Sequence, residues 1–202
     1  MPRARCSLLD IKISNPLAIA KIMFRTLEGI EYLHSMSILH GDIKPGNIVL
    51  KINDFDDPQP KIIDFGHANK LNSIDHLCRC HAMTYTYSSP ELLSLQPHGL
   101  ESDIWSLGAT FFYLITKKEL LVLKKIEEMR KDAANIRLSF QEKEWKNYPF
   151  SLRALISQML NKDPNKRPRA EQCLTHQFFI EFLGKEWILR EQERIKISKN
   201  IV

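Results

Sequence analysis

The sequence predicts a mainly α-helical (α+β) fold with one or two small β-hairpins. Three patterns carry that expectation. Apolar residues recur at helical spacing over 15–36, at Leu17, Ile19, Ile22, Met23, Leu27, Ile30 and Leu33. Residues 102–116 are apolar almost all round, as a buried central helix must be. Two brief β-type runs, at 48–50 and 61–63, flank the turn-rich acidic stretch NDFDDPQP, which reads as a hairpin loop.

In chain order, Asn15 and Pro16 form a helix start, a cap followed by a first helical residue. Ile38 and Leu39 lead into the polar loop at 40–47. Residues 66–89 show no clear period, and a stretch of that length is uncommon in a compact domain unless it is functional. Helical patterns follow at about 118–134, 151–160 and 169–182, with Pro164 and Pro168 bracketing a loop. From Gly184 onward apolar and charged residues alternate (Trp187, Ile188, Ile195), a pattern for one further helix.

A length of 202 residues suits one domain with a substantial core. Hydrophobic residues at 44% and charged residues at 26% exclude a disordered chain. The net charge of +5 is spread out, with no basic stripe to favour nucleic acid. The start has no apolar core of signal-peptide length, and the apolar stretch at 107–115 is too short for a bilayer. Cysteines at 6, 78, 80 and 173 do not resemble a disulfide framework. The expectation is an intracellular protein, cytoplasmic or nuclear, with neither membrane nor nucleic acid as partner.

The segment His40-Gly41-Asp42-Ile43-Lys44-Pro45-Gly46-Asn47 carries the most chemistry. Phosphoryl transfer needs a carboxylate near the attacking hydroxyl, a cation near the moving phosphoryl group and oxygen ligands for magnesium. Asp42, Lys44 and Asn47 offer one of each. Farther on, Asp64-Phe65-Gly66 adds a second carboxylate suited to magnesium between phosphates.

These motifs resemble the protein kinase family, whose catalytic loop reads His-Arg-Asp and whose magnesium loop reads Asp-Phe-Gly. The resemblance implies that Asp42 orients the substrate hydroxyl or accepts its proton and that Lys44 neutralises the ATP γ-phosphate. Asn47 and Asp64 would hold Mg2+, and Val49, with Ile63 and Lys44, would contact the nucleotide. The Lys44-Pro45 pair resembles serine/threonine kinases. Residues 83–91 look like the docking stretch ending in Ala-Pro-Glu, with Thr84 bonding the catalytic aspartate and lysine. Residues 103–108 look like the start of the family's central helix, where Asp103 holds the catalytic loop's backbone. Residues 163–168 look like the late loop whose Arg167 pairs with Glu91. The resemblance covers roughly 7–182.

Bland readings stand beside these. His40 and Phe65 fit packed positions better than chemical ones, and Asp103, Glu91 and Arg167 fit structural roles. The cluster at 76–81, His-Leu-Cys-Arg-Cys-His, contains zinc-type ligands without a familiar zinc spacing.

Three departures from the family pattern matter. Gly41 replaces the arginine that, in many kinases, grips an activation-loop phosphate, so Ser73, Thr84, Tyr85, Thr86 and Tyr87 lack that partner. Met83 replaces a small glycine. Nothing before His40 supplies a Gly-rich loop or its lysine strand. The resemblance therefore implies the carboxy-terminal lobe of a kinase, residues 1–182, with the amino-terminal ATP lobe missing, followed by a basic helical tail at 183–202. The expected function is serine/threonine protein kinase with ATP and Mg2+ as cofactors. A protein is the expected substrate, and a partner would cover the small-lobe face. The alternative is an inactive binding module or scaffold.

Overall fold

The computed structural model describes residues 5–51, 56–73, 75–78 and 84–199. Its first long helix, α1 (Pro16–Ser35), starts as the sequence requires: the Asn15 side chain accepts from the Leu17 N–H, and Pro16 opens the first turn. The inward stripe of α1 (Ile19, Ile22, Met23, Leu27, Ile30) is almost wholly buried. It meets the buried central helix α3 (Glu101–Thr116), which follows the short α2 (Pro90–Leu93) and in which every residue from Ser102 to Phe112 is enclosed. Trp105 and Phe111 on α3 have no exposed surface, and burying each such ring contributes about 1.5–3 kcal/mol. Gly108 lets the next layer approach: a Cβ there would lie 3.0 Å from the Met159 Cβ of α5 (Phe150–Met159).

Two small sheets lie beside the helices. In one, β3 (Ile48–Lys51) is central, flanked antiparallel by β1 (Arg5–Ser7) and β4 (Lys61–Ile62). In the other, β2 (Ile38–Leu39) pairs with β5 (Asn69–Lys70). The β3–β4 pairing was expected. β1 and β5 are too short and polar to show a period, and only pairing with a partner strand makes them strands. The second sheet brings the chain after Asp64-Phe65-Gly66 back to the entrance of the 40–47 loop.

Two helical expectations are corrected. The pattern at 118–134 yields a helix only at α4 (Ile126–Ala134). Lys117 closes α3 in the left-handed conformation (φ 57°). Beyond it Leu121 turns inward while Val122 and Leu123 stand in solvent, and the chain stays non-helical until Ile126. The pattern at 169–182 splits into α6 (Ala170–Leu174) and α7 (Gln177–Leu183). His176 makes the break, because its Nδ1 accepts from the Phe178 N–H and caps a new helix. That turns Phe178 and Phe179 into the core.

The tail forms α8 (Lys185–Lys199) and returns onto α1. The Trp187 ring meets Phe24 edge-on at 5.4 Å, and the Arg25 guanidinium lies 5.4 Å above the same indole. Arg25 donates Nε–H and Nη2–H to the two carboxylate oxygens of Glu191, both at 2.7 Å. A further 2.7 Å ion pair links Arg25 to Asp57. Burial disfavours both charges of the Arg25–Glu191 pair. Their mutual hydrogen bonds and field outweigh it, holding Arg25 above and Glu191 below the ordinary value. No described helix is long and apolar enough to cross a membrane.

Breaking a buried ion pair leaves an uncompensated charge, so Glu191→Ala should cost about 3 kcal/mol of stability. Denaturant unfolding of wild type and variant checks this; a loss under about 0.5 kcal/mol, the size of an exposed pair, would contradict it.

Candidate active site

The polar loop at 40–47 is held from below by one carboxylate. Asp103, on the first turn of α3, accepts the His40 backbone N–H at 2.8 Å on Oδ2 and the Gly41 N–H at 3.0 Å on Oδ1. His34, at the last turn of α1, adds its Nε2–H to Oδ2 at 3.1 Å. Asp103 is 1% exposed. Burial pushes its carboxyl up, but the hydrogen bond and charge of His34 and the two backbone N–H groups bring it below the ordinary 3.8. His34 escaped sequence reading. The available signal was its place on the buried stripe of α1, one turn beyond Ile30, where a polar side chain needs a partner.

His40 joins the two loops. Its Nδ1 accepts the Asp42 N–H at 3.3 Å, so the proton sits on Nε2, which donates to the Ile63 carbonyl at 3.2 Å. Its ring lies 5.0 Å from that of Phe65. His40 is therefore packed and structural, as its bland reading had it.

Four expected site residues come together. The Asp42 carboxylate, 5% exposed, accepts the Thr84 hydroxyl on Oδ1 at 2.6 Å. On Oδ2 it accepts Lys44 Nζ–H at 2.6 Å and Asn47 Nδ2–H at 3.0 Å. Lys44 also donates to Thr84 Oγ1 at 2.8 Å, so carboxylate, ammonium and hydroxyl form a closed triangle. Thr84 is forty residues from Lys44 in sequence; only the fold makes them neighbours. Pro45 and Asn47 bound the 3-10 turn (Pro45–Asn47) that aims Asn47 back at Asp42.

Asp64 is outside this triangle but tied to it. The Asn47 carbonyl accepts the Ile63 N–H at 2.9 Å, which sets Asp64 one residue from the end of the 40–47 loop. Asp64 is exposed and left-handed (φ 65°), a conformation aspartate tolerates better than most residues. Its Oδ1 accepts the Gly66 N–H at 3.3 Å. The donor set suits magnesium, since Asp64 and Asn47 both offer hard oxygen ligands. Val49 lies on central strand β3 and is 9% exposed, while Ile63 is 37% exposed beside Asp64. Neither touches the triangle through a polar contact.

Gly41 has a geometric cause. Its φ is 79°, and a Cβ there would lie 2.8 Å from the His67 carbonyl oxygen. With this backbone, the loop has no room for the arginine the family pattern places here. Of the candidate phosphoacceptors, Tyr85 and Ser73 are exposed, whereas Thr86 and Tyr87 are buried. Met83 and three members of the 76–81 cluster (Arg79, Cys80 and His81) lie outside the described residues.

A second buried pair secures the segment that carries Thr84. Arg167 donates to both Glu91 oxygens at 2.5 and 2.8 Å, as the motifs implied, and its guanidinium lies 5.1 Å above the Trp105 ring. Burial raises the Glu91 carboxyl, but Arg167 outweighs it and holds it below 4.5. Away from the 40–47 loop, a cavity of about 490 Å3 opens between α1, α3 and the 164–169 segment leading into α6, with Glu31, His34 and Arg169 in its wall.

The chain belongs to the protein kinase family: the family model described as a protein kinase domain matches residues 7–179. Its relatives include serine/threonine kinases. It is 34% identical over 182 residues to a probable serine/threonine-protein kinase 2 of Plasmodium falciparum, covering 90% of this chain and 35% of that one. It is 30% identical over 152 residues to the calcium/calmodulin-dependent protein kinase cmkA of Emericella nidulans, covering 75% and 36%. It is 33% identical over 159 residues to the mouse serine/threonine-protein kinase PLK2, covering 77% and 22%. The chain thus spans little more than a third, or less, of each of these relatives.

Two outcomes follow. Gly41→Ala should destabilise the protein by about 1–3 kcal/mol, through the left-handed backbone and the contact with His67, as read by denaturant unfolding. Stability should also depend on acid. The folded pKa values of Glu91 and Asp103 are depressed, so their contribution is complete above their ordinary values and is lost as pH falls through the lower folded ones. The midpoint of thermal denaturation should therefore fall steadily from about pH 5 downward, and a constant midpoint down to about pH 3 would contradict this.

Proposed function

We propose that this chain supplies the phosphate-transfer half of a serine/threonine protein kinase, moving the γ-phosphate of ATP to a protein hydroxyl. Residues 1–182 would be the carboxy-terminal lobe and 183–202 its helical tail. The observation that carries the reading is the closed triangle of Asp42, Lys44 and Thr84 with Asn47 behind it. A buried carboxylate already accepting three donors is held in a single orientation. Its remaining lone pairs can accept a substrate hydroxyl and draw off that proton as the oxygen attacks.

The Lys44 ammonium, bonded to Asp42 and Thr84, would offset charge on the transferring phosphoryl group. Thr84 fixes both partners, and positioning of this kind is the main contribution a protein makes to phosphoryl transfer. Asp64 and Asn47 would hold Mg2+, which when bound neutralises the phosphate oxygens. Val49 and Ile63 would lie against the nucleotide base. The protein substrate would dock near the segment that carries Thr84, and a further polypeptide surface would cover the face beside Val49 and Ile63.

The test is calorimetry of ATP with the purified chain, with and without magnesium. Magnesium-dependent binding that vanishes in Asp64→Ala, with phosphotransfer to a Ser/Thr peptide lowered at least about a hundredfold by Asp42→Asn, is expected. A folded, monodisperse chain that binds no nucleotide would sink self-sufficient transfer and favour the binding-module reading.

A further inference from the structure

We infer that Cys78 and His98 form a reactive thiol–imidazole pair, a site of covalent modification by peroxides and other soft electrophiles. The two residues face each other across an isolated antiparallel bridge that ties the segment after the magnesium loop to the loop before α3. The Cys78 N–H donates to the His98 carbonyl at 2.8 Å, and the His98 N–H returns a bond to the Cys78 carbonyl at 3.1 Å. With both backbones fixed, the Cys78 Sγ lies 3.6 Å from His98 Nε2.

The proton on the imidazole can be placed. His98 Nδ1 is 3.2 Å from the Gln96 carbonyl oxygen, and a carbonyl only accepts, so Nδ1 carries hydrogen. In the neutral ring that leaves Nε2 as the basic nitrogen, aimed at the thiol. The ring is 2% exposed and held in this orientation, while the Cys78 side chain is half-buried and within reach of a small reagent.

The other described cysteines lack this arrangement. Cys173 is fully enclosed, and burial pushes its thiol up to about 12. The Cys6 thiol faces the Leu50 carbonyl at 3.9 Å, a group that cannot take its proton. The thiolate is the nucleophilic form, so a held imidazole nitrogen 3.6 Å from the sulfur sets Cys78 apart from Cys6 and Cys173.

With a hydroperoxide, the Cys78 proton passes to His98 Nε2 and the sulfur pair attacks the terminal peroxide oxygen. An S–O bond forms and the O–O bond breaks. The departing oxygen takes the proton back from Nε2, so sulfur is oxidised by two electrons to sulfenic acid and the peroxide is reduced to alcohol or water. This chemistry is separate from phosphoryl transfer and does not depend on that reading.

The test uses the whole 202-residue chain in its folded state. Limiting iodoacetamide is quenched at intervals, and each cysteine peptide is quantified by mass spectrometry. Tryptic cleavage after Arg79 places Cys78 and Cys80 on separate peptides. Cys78 should be alkylated about tenfold faster than Cys6, Cys80 or Cys173, and His98→Gln should remove that advantage. In parallel, hydrogen peroxide with dimedone should leave its sulfenic-acid adduct chiefly on Cys78. Equal rates at Cys78 and Cys6, a faster Cys80, or a folded His98→Gln protein with unchanged Cys78 rate would each overturn the proposal. If His98→Gln does not fold, the comparison among cysteines within the wild-type sample decides it.

Discussion

The structure depends most on a single buried carboxylate. Asp103 stands at the start of the central helix and accepts hydrogen bonds from two consecutive backbone N–H groups of the loop above, and from His34 at the end of α1. Taking a charge this far from water is tolerable only because both carboxylate oxygens find donors, three in all. The consequence is positional. The loop cannot shift relative to α1 and α3 without leaving that charge unpaired, so Asp42, Lys44 and Asn47 inherit the rigidity of the helical core.

The same logic repeats outward. His40 transfers the fixed position of one loop to the next, accepting from Asp42 and donating to Ile63 just before Asp64. Arg167 and Glu91 do so for the segment bearing Thr84, with the guanidinium against Trp105 of the central helix. Arg25 and Glu191 do so for the C-terminal helix. Each is a buried charge or polar group satisfied by partners distant in sequence. Together they convert an apolar core, which specifies shape loosely, into a site with defined hydrogen-bond geometry. The triangle of Asp42, Lys44 and Thr84 is a further closed network of this kind, joining two loops distant in sequence.

Much of this was legible in the chain. The 3.6-residue stripe of α1, the apolar run of α3 and the cap at Asn15 are local signals, because helix burial and capping depend on neighbours a few positions away. The loop residues could be singled out because their types and spacing match a chemical need. His34 and the Arg25–Glu191 pair could not, since one charged or polar residue on a helix says nothing about which distant element will meet it. The strands β1 and β5 were invisible for a related reason: each consists of two or three residues whose conformation comes from the strand beside them.

The sequence alone therefore determined the helical class, the order of the motifs and the choice of Asp42, Lys44, Asn47 and Asp64 as candidate site residues, all properties of short-range pattern and side-chain chemistry. Tertiary structure decided what depends on closure in space. It brought Thr84 onto Asp42 and Lys44 and folded α8 back over Phe24 and Arg25. It buried Thr86 and Tyr87 among the core while leaving Tyr85 exposed. It also showed why a glycine precedes Asp42: the His67 carbonyl occupies the space a side chain would need, a fact set by a backbone twenty-six residues away in a chain that gives no local sign of it.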